Sequence, residues 1–194
     1  MSEIPEAWRK GDWMQLHSGR KFYPLDCYPD DILPSDIAHA LSLICRYGGH
    51  VSRFYSVAEH CILMSEFAED RLGPDHALAA LLHDATEAYV GDMVRPLKRS
   101  LKAYRDIEHG IWTSIAYKFR IPLELPPAVK DWDNRILLTE RDALMPNTQY
   151  SWADDNMEPL PVKVRGIAPV EAEALYLDRL NDLLFKSTAA VLAK

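Results

Sequence analysis

Residues 76–92 read HALAALLHDATEAYVGD. Gly73-Pro74-Asp75 stands before them and Gly91 closes them, so the stretch has helix punctuation at both ends. Within an otherwise apolar run sits an adjacent imidazole and carboxylate, His83-Asp84. Glu87 follows three and four residues later, which on a helix is the same side one turn on. Charged or imidazole groups amid apolar helix positions are costly to bury unpaired. The stretch therefore implies a helical protein with an ionic feature in its interior.

The neighbouring segments agree. A helix is expected from Ser35 as cap, with Ile37, Ala38, Ala40, Leu41 and Ile44 on one face, stopping at Gly48-Gly49. Ser56 opens a second, with Val57, His60, Cys61, Met64 and Phe67 at helical spacing. A third runs from Gly73-Pro74-Asp75 to Gly91. A fourth covers about 101–119, with Ile107, Ile111, Ile115 and Phe119, and a fifth runs from about Pro127 to Met145. A loop containing Pro, Asp and Asn spans 146–167, and a last helix covers 168–192 with Leu175, Leu180, Leu183 and Leu184. Before Ser35, Trp13–His17 and Lys21-Phe22-Tyr23 flank Ser18-Gly19-Arg20 as a short hairpin, and Pro24, Pro29 and Pro34 keep the chain irregular. The expected fold is an all-α bundle with a short N-terminal hairpin. It forms a single domain over 1–194: a helical core at about 36–145, an N-terminal segment 1–35 and a C-terminal loop and helix 146–194.

The chain has 194 residues, of which 48% are hydrophobic and 26% charged, a balance that excludes a disordered protein. A net charge of −7 and a pI near 5.5 argue against long nucleic acid as a partner, though not against a small anion. Cys27, Cys45 and Cys61 are odd in number and form no CxxC pair, which argues against a disulfide framework or a cysteine zinc site. No secretory signal and no apolar window of about 18 residues is present, so the expectation is a cytoplasmic protein without a membrane partner.

His60, the adjacent pair His83-Asp84, and Asp133 each lie within a different expected helix. A divalent cation would give these groups one shared partner, and two imidazoles with two carboxylates suit Mn, Fe, Co, Ni or Zn. Glu87, one turn from the pair, is placed to act as general base or acid on a water at such an ion. Between Met93 and Arg105 the charged residues are all basic: Arg95, Lys98, Arg99, Lys102 and Arg105. Such a run can attract an anionic substrate.

Three words sharpen this reading: SVAEH at 56–60, LLHDATEAYVGDMVRPLK at 81–98 and VKDWDNRILLTE at 129–140. The H…HD…D spacing resembles the HD-domain metal-dependent phosphohydrolases, and the words around it resemble the HD-family 5′-deoxynucleotidases over roughly 36–145. The hairpin and tail are closer to small, functionally undefined HD hydrolases. The resemblance implies an HD helical bundle with one divalent ion (Mn, Co, Fe, Ni, Zn or Mg) held by His60, His83, Asp84 and Asp133. It implies proton handling by Glu87 and an active-site carboxylate at Asp92, with attack on phosphorus by a metal-bound water. Arg46-Tyr47 falls where the nucleotidases have an Arg-Trp pair beside phosphate and sugar, and Tyr for Trp keeps an aromatic wall of different size. His50 and Arg53 in GGHVSRFYS, and Arg95 and Lys98 in the RPLK word, are further candidate substrate contacts. HDATEA departs from the HDxxED of the (p)ppGpp hydrolases, and His109 lacks the companion histidines of two-metal HD proteins. His17, His39 and His76 receive no role.

The sequence thus points to an enzyme that hydrolyses a small phosphorylated substrate, a (deoxy)nucleoside monophosphate or similar ester. The alternatives are a non-catalytic nucleotide- or metal-binding HD module and a purely structural helical domain. The Leu- and Ala-rich helices would serve a homodimer interface or a monomer's core equally well.

Overall fold

The computed structural model describes residues 6–152 and 156–192. The parts of the N-terminal segment, loop and tail at 1–5, 153–155 and 193–194 lie outside them. In chain order the elements are β1 (Met14–Gln15), β2 (Lys21–Phe22), α1 (Pro34–Leu43), α2 (Val57–Leu72), α3 (Pro74–Leu82), α4 (Glu87–Val90), α5 (Arg95–Ser100), α6 (Lys102–Phe119), α7 (Pro127–Leu144) and α8 (Pro169–Leu192). The architecture is all-α with a short N-terminal hairpin. Among the described residues no helix is long and apolar enough to cross a membrane.

α3 explains the arrangement. Ala77–Leu82 offer no polar face, and every one of them is buried. A helix apolar all round has to lie inside. Alanines at 77, 79 and 80 let α2 approach closely along it, and α8 closes over the same region. α2 is likewise buried on most of its circumference, from Val57 through Ser65. α8 contributes a narrow stripe of Ala172, Tyr176, Leu180 and Leu183, and the Tyr176 hydroxyl donates to the Leu81 carbonyl at 2.9 Å. Leu175, expected among its apolar positions, lies toward solvent.

Most element boundaries match the sequence expectations, with three differences. α1 begins at Pro34, not at a Ser35 cap, because the fixed φ of proline suits the first helical position. It ends at Leu43, well before the glycines: the Cys45–Ser56 bridge and the Arg46 N–H bond to the Tyr55 carbonyl pull the chain into a closed loop. Most consequential, the helix expected through Gly91 is interrupted. α3 ends at Leu82, and residues 83–86 form a tightened turn before α4, with Ala85 N–H to Leu82 O at 2.9 Å and Glu87 N–H to Asp84 O at 3.0 Å.

The hairpin pairs Met14 with Phe22 and Gln15 with Lys21. It is anchored by Phe22, fully buried and stacked on Tyr89 of α4, and by Ser18, whose N–H and hydroxyl both donate to the Asp36 carboxylate of α1.

Candidate metal centre

The turn at 83–86 allows the central constellation. On a regular helix adjacent side chains diverge by about 100°. Here the tightened backbone brings His83 Nε2 and Asp84 Oδ2 to 3.3 Å. His60 meets them from the first turn of α2, whose start is fixed by the Ser56 hydroxyl accepting the Glu59 N–H. Asp133 comes from α7, with Oδ1 at 3.5 Å from His60 Nε2 and 3.7 Å from His83 Nε2.

The donor set fits a single cation. His83 Nδ1–H donates to the Ala80 carbonyl at 2.7 Å, and His60 Nδ1–H to Glu140 Oε1 at 2.6 Å. Both imidazoles therefore present their Nε2 atoms inward, 3.2 Å apart. Two lone pairs facing each other at that distance need a positive charge between them. Donors on one ion with bonds of ~2.0–2.2 Å stand roughly 3.0–3.6 Å apart, the spacing seen here. The four donor atoms lie within 4.8 Å of one another. Electrostatics agrees. Burial alone would lower His83, but the Asp84 charge and the hydrogen bonds its imidazole can donate to Asp133 and Asp84 raise it well above an ordinary imidazole. Burial alone would raise Asp84 and Asp133, yet the two histidines hold both below the usual carboxylate range. The cluster is short of positive charge, which a divalent ion would supply.

Glu87 stands beside this cluster at 5% exposure, and its Oε2 has no hydrogen-bond partner among the described residues. Burial, and then the charges of Asp84 and Asp92, push its carboxyl well above the ordinary value. Asp92, released by Gly91 (φ 81°), lines the same cavity and is also raised by burial.

That cavity, about 510 Å³, is lined at its charged end by Arg46, Asp84, Glu87, Asp92, Arg95 and Lys98, with Asp133 among them. Arg46 is buried and spans Asp84 and Glu140, 3.3 Å from each. Arg95 donates to Asp133 Oδ2 at 2.6 Å and to Asn134 at 2.8 Å. Lys98 donates to Glu108 at 2.6 Å. The basic run divides: Arg95 and Arg99 line this cavity, Lys98 lines it and a second one of about 320 Å³ that also includes His83, Asp84 and Arg105, and Lys102 pairs with Asp106 at the surface. His109 also faces the second cavity. His50 and Arg53 are brought to neither: both are exposed, and Arg53 lies against Gly166.

The sequence reading missed Glu140. It is fully buried and accepts from His60, from the Tyr55 hydroxyl at 2.8 Å and, in a short bond, from the Tyr47 hydroxyl. Tyr47 holds left-handed backbone (φ 58°), and burial and the Glu140 charge push its hydroxyl up, so it remains a donor. Trp152, from the loop after α7, was also missed; it lines the cavity with Leu137 and Met145.

His17, His39 and Glu173 form a second group of possible metal donors, tying the hairpin to α1 and α8. Its imidazoles are stacked, with centroids 3.5 Å apart and planes inclined by 17°, so their lone pairs run side by side and do not converge. At the first cluster the inclination is 48°.

No protein-family model matches the chain. It is similar to the uncharacterized protein YfdR of Escherichia coli (strain K12), 38% identical over 175 residues that cover 88% of this chain and 95% of that one. It is also similar to the uncharacterized protein RCAP_rcc00048 of Rhodobacter capsulatus, 34% identical over 193 residues, 90% of this chain and 97% of that one.

Proposed function

The chain belongs to the family of YfdR and RCAP_rcc00048, and we propose that it is a metal-dependent phosphohydrolase of the HD type. In this reading it hydrolyses the phosphate monoester of a (deoxy)nucleoside monophosphate or a similar small ester. The observation that carries the proposal is a buried Glu87 carboxyl, its Oε2 without a partner among the described residues, beside a converged cluster of two histidines and two aspartates and sharing a cavity with Arg46, Arg95 and Lys98.

His60, His83, Asp84 and Asp133 would hold a divalent ion, which would supply polarisation of a phosphoryl oxygen and a lowered pKa for water. The remaining work falls to the chain. Arg46, fixed between Asp84 and Glu140, presents a rigid guanidinium to phosphate oxygens, whose planar fork suits bidentate binding. Arg95 and Lys98 extend that positive lining, and holding the phosphoryl group in line for attack is the larger part of the task. Glu87 exchanges a proton with the reacting oxygens; its burial favours the protonated form. Asp92, across the mouth, is the second carboxylate available to orient the attacking water or a sugar hydroxyl.

The test is phosphate release from a panel of nucleotides and sugar phosphates by chain loaded with Mn²⁺, Co²⁺ or Mg²⁺. Glu87→Gln is expected to lower kcat about 100-fold or more while its metal content stays at the wild-type level. Absence of turnover from every ester by a metal-loaded sample, or full activity in Glu87→Gln, overturns the proposal. Saturable nucleotide binding without turnover would support a non-catalytic binding module.

A further inference from the structure

The cavity over the metal centre is lined by two unlike sets of side chains. One is charged; the other is apolar and aromatic and includes Tyr47, Leu137, Met145 and Trp152. A phosphate needs only the first set. The second calls for an occupant that gains by leaving water.

Trp152 belongs to none of the helices that build the centre. Its ring centroid lies 6.3 Å from that of Tyr47, with the planes inclined at 52°. The two rings are not equivalent. Tyr47 is held by left-handed backbone and by the bond from its hydroxyl to buried Glu140, so its ring cannot turn to meet a ligand. Trp152 is only partly buried, on a loop, with the Arg141 guanidinium 5.4 Å from its ring centroid. The larger and more adaptable aromatic face is therefore the indole. Stacking a base on an aromatic side chain changes affinity by about tenfold or more, whichever base it is.

Building on the phosphohydrolase reading above, we infer that Trp152 is the residue that selects the leaving group of the ester, by stacking on a planar heteroaromatic ring. Esters that carry a nucleobase are preferred, the identity of the base matters little, and a sugar phosphate without a base is bound loosely.

The experiment compares nucleoside 5′-monophosphates with ribose 5-phosphate and deoxyribose 5-phosphate. Steady-state kinetics are measured on metal-loaded chain, and dissociation constants by calorimetry on the same samples. The wild type is expected to bind the nucleotides at least 10-fold more tightly than the sugar phosphates. Trp152→Ala is expected to raise KM and Kd for the nucleotides about 10-fold or more, to leave kcat within about twofold, and to leave the sugar phosphates unchanged. Trp152→Phe restores most of the loss. Equal binding of the two ligand classes by the wild type, or an equal effect of Trp152→Ala on both, overturns the inference even if phosphate is released. If no ester is hydrolysed but the Trp152-dependent difference in Kd holds, the stacking role stands and the phosphohydrolase reading falls.

Discussion

Burial alone would favour the protonated form of Glu140, but the Arg46 guanidinium and His60 outweigh it and hold the carboxyl down to about 2. One ionised group thereby joins a metal ligand, a cavity guanidinium and an aromatic wall. Glu140→Gln keeps the shape and removes the charge. Metal affinity is expected to fall about 10- to 100-fold, as is usual when the partner orienting a ligating histidine is weakened. Calorimetric titration with Mn²⁺ measures it, and an unchanged affinity would show that His60 holds its orientation unaided. Glu140→Ala leaves Arg46 buried with less compensation, and urea unfolding should record a loss of about 3–5 kcal/mol. His60, His83 and Asp84 were legible as ionisable groups amid apolar helix positions, and Asp133 through the VKDWDNRILLTE word that resembles the HD family. Glu140 carries the same signature, seven residues after Asp133 at the end of ILLTE. Near the end of a helix, however, a glutamate reads as solvent-facing. His50 and Arg53 lie apart from the cavity for the opposite reason: adjacency to Arg46-Tyr47 in sequence does not survive the turn at Gly48-Gly49, where both glycines take positive φ.

At the scale of elements, helix positions follow from apolar spacing and breakers, and α2, α6, α7 and α8 lie close to where the pattern puts them. The interruption at 83–86 was not legible, since HDATEA contains no glycine or proline to mark it. The turn is dictated by its neighbours: His83 and Asp84 must converge on groups from α2 and α7. A second tie between elements is Glu59 of α2. It is fully buried, and its carboxylate accepts the backbone N–H groups of Arg165 at 2.7 Å, Gly166 at 2.8 Å and Ile167 at 2.8 Å. Because the bonds go to the main chain, the loop before α8 is held whatever side chains it carries at 165 and 167. Glu59→Ala should cost about 2 kcal/mol or more, read as a shift in urea midpoint, whereas Arg165→Ala should change far less. Tyr176→Phe removes the single bond from α8 to the Leu81 carbonyl and should cost about 1 kcal/mol in the same assay.

Across the whole molecule, the proposed ligands are drawn from α2, from the turn after α3 and from α7, so an ion bound among them joins segments distant in the chain. Anything that binds the folded form alone stabilises it, by about 2.7 kcal/mol at a hundredfold excess over Kd. Thermal unfolding with added Mn²⁺ should show a raised Tm that chelator reverses and Asp84→Ala abolishes. An unshifted Tm with every metal tried would count against the centre. The net charge of −7 is no obstacle, because part of the acidity is gathered at that centre and the basic side chains of 95–99 line the cavity above it. One residue makes the opening of this interior measurable. Cys61 follows His60 and has no solvent exposure, and burial pushes its thiol up to about 11. A thiol reagent can reach it only while α2 stands away from the helices around it. Its labelling rate is therefore a stopwatch on how often the metal centre comes apart, and an ion that locks the centre should slow that clock in proportion to its affinity.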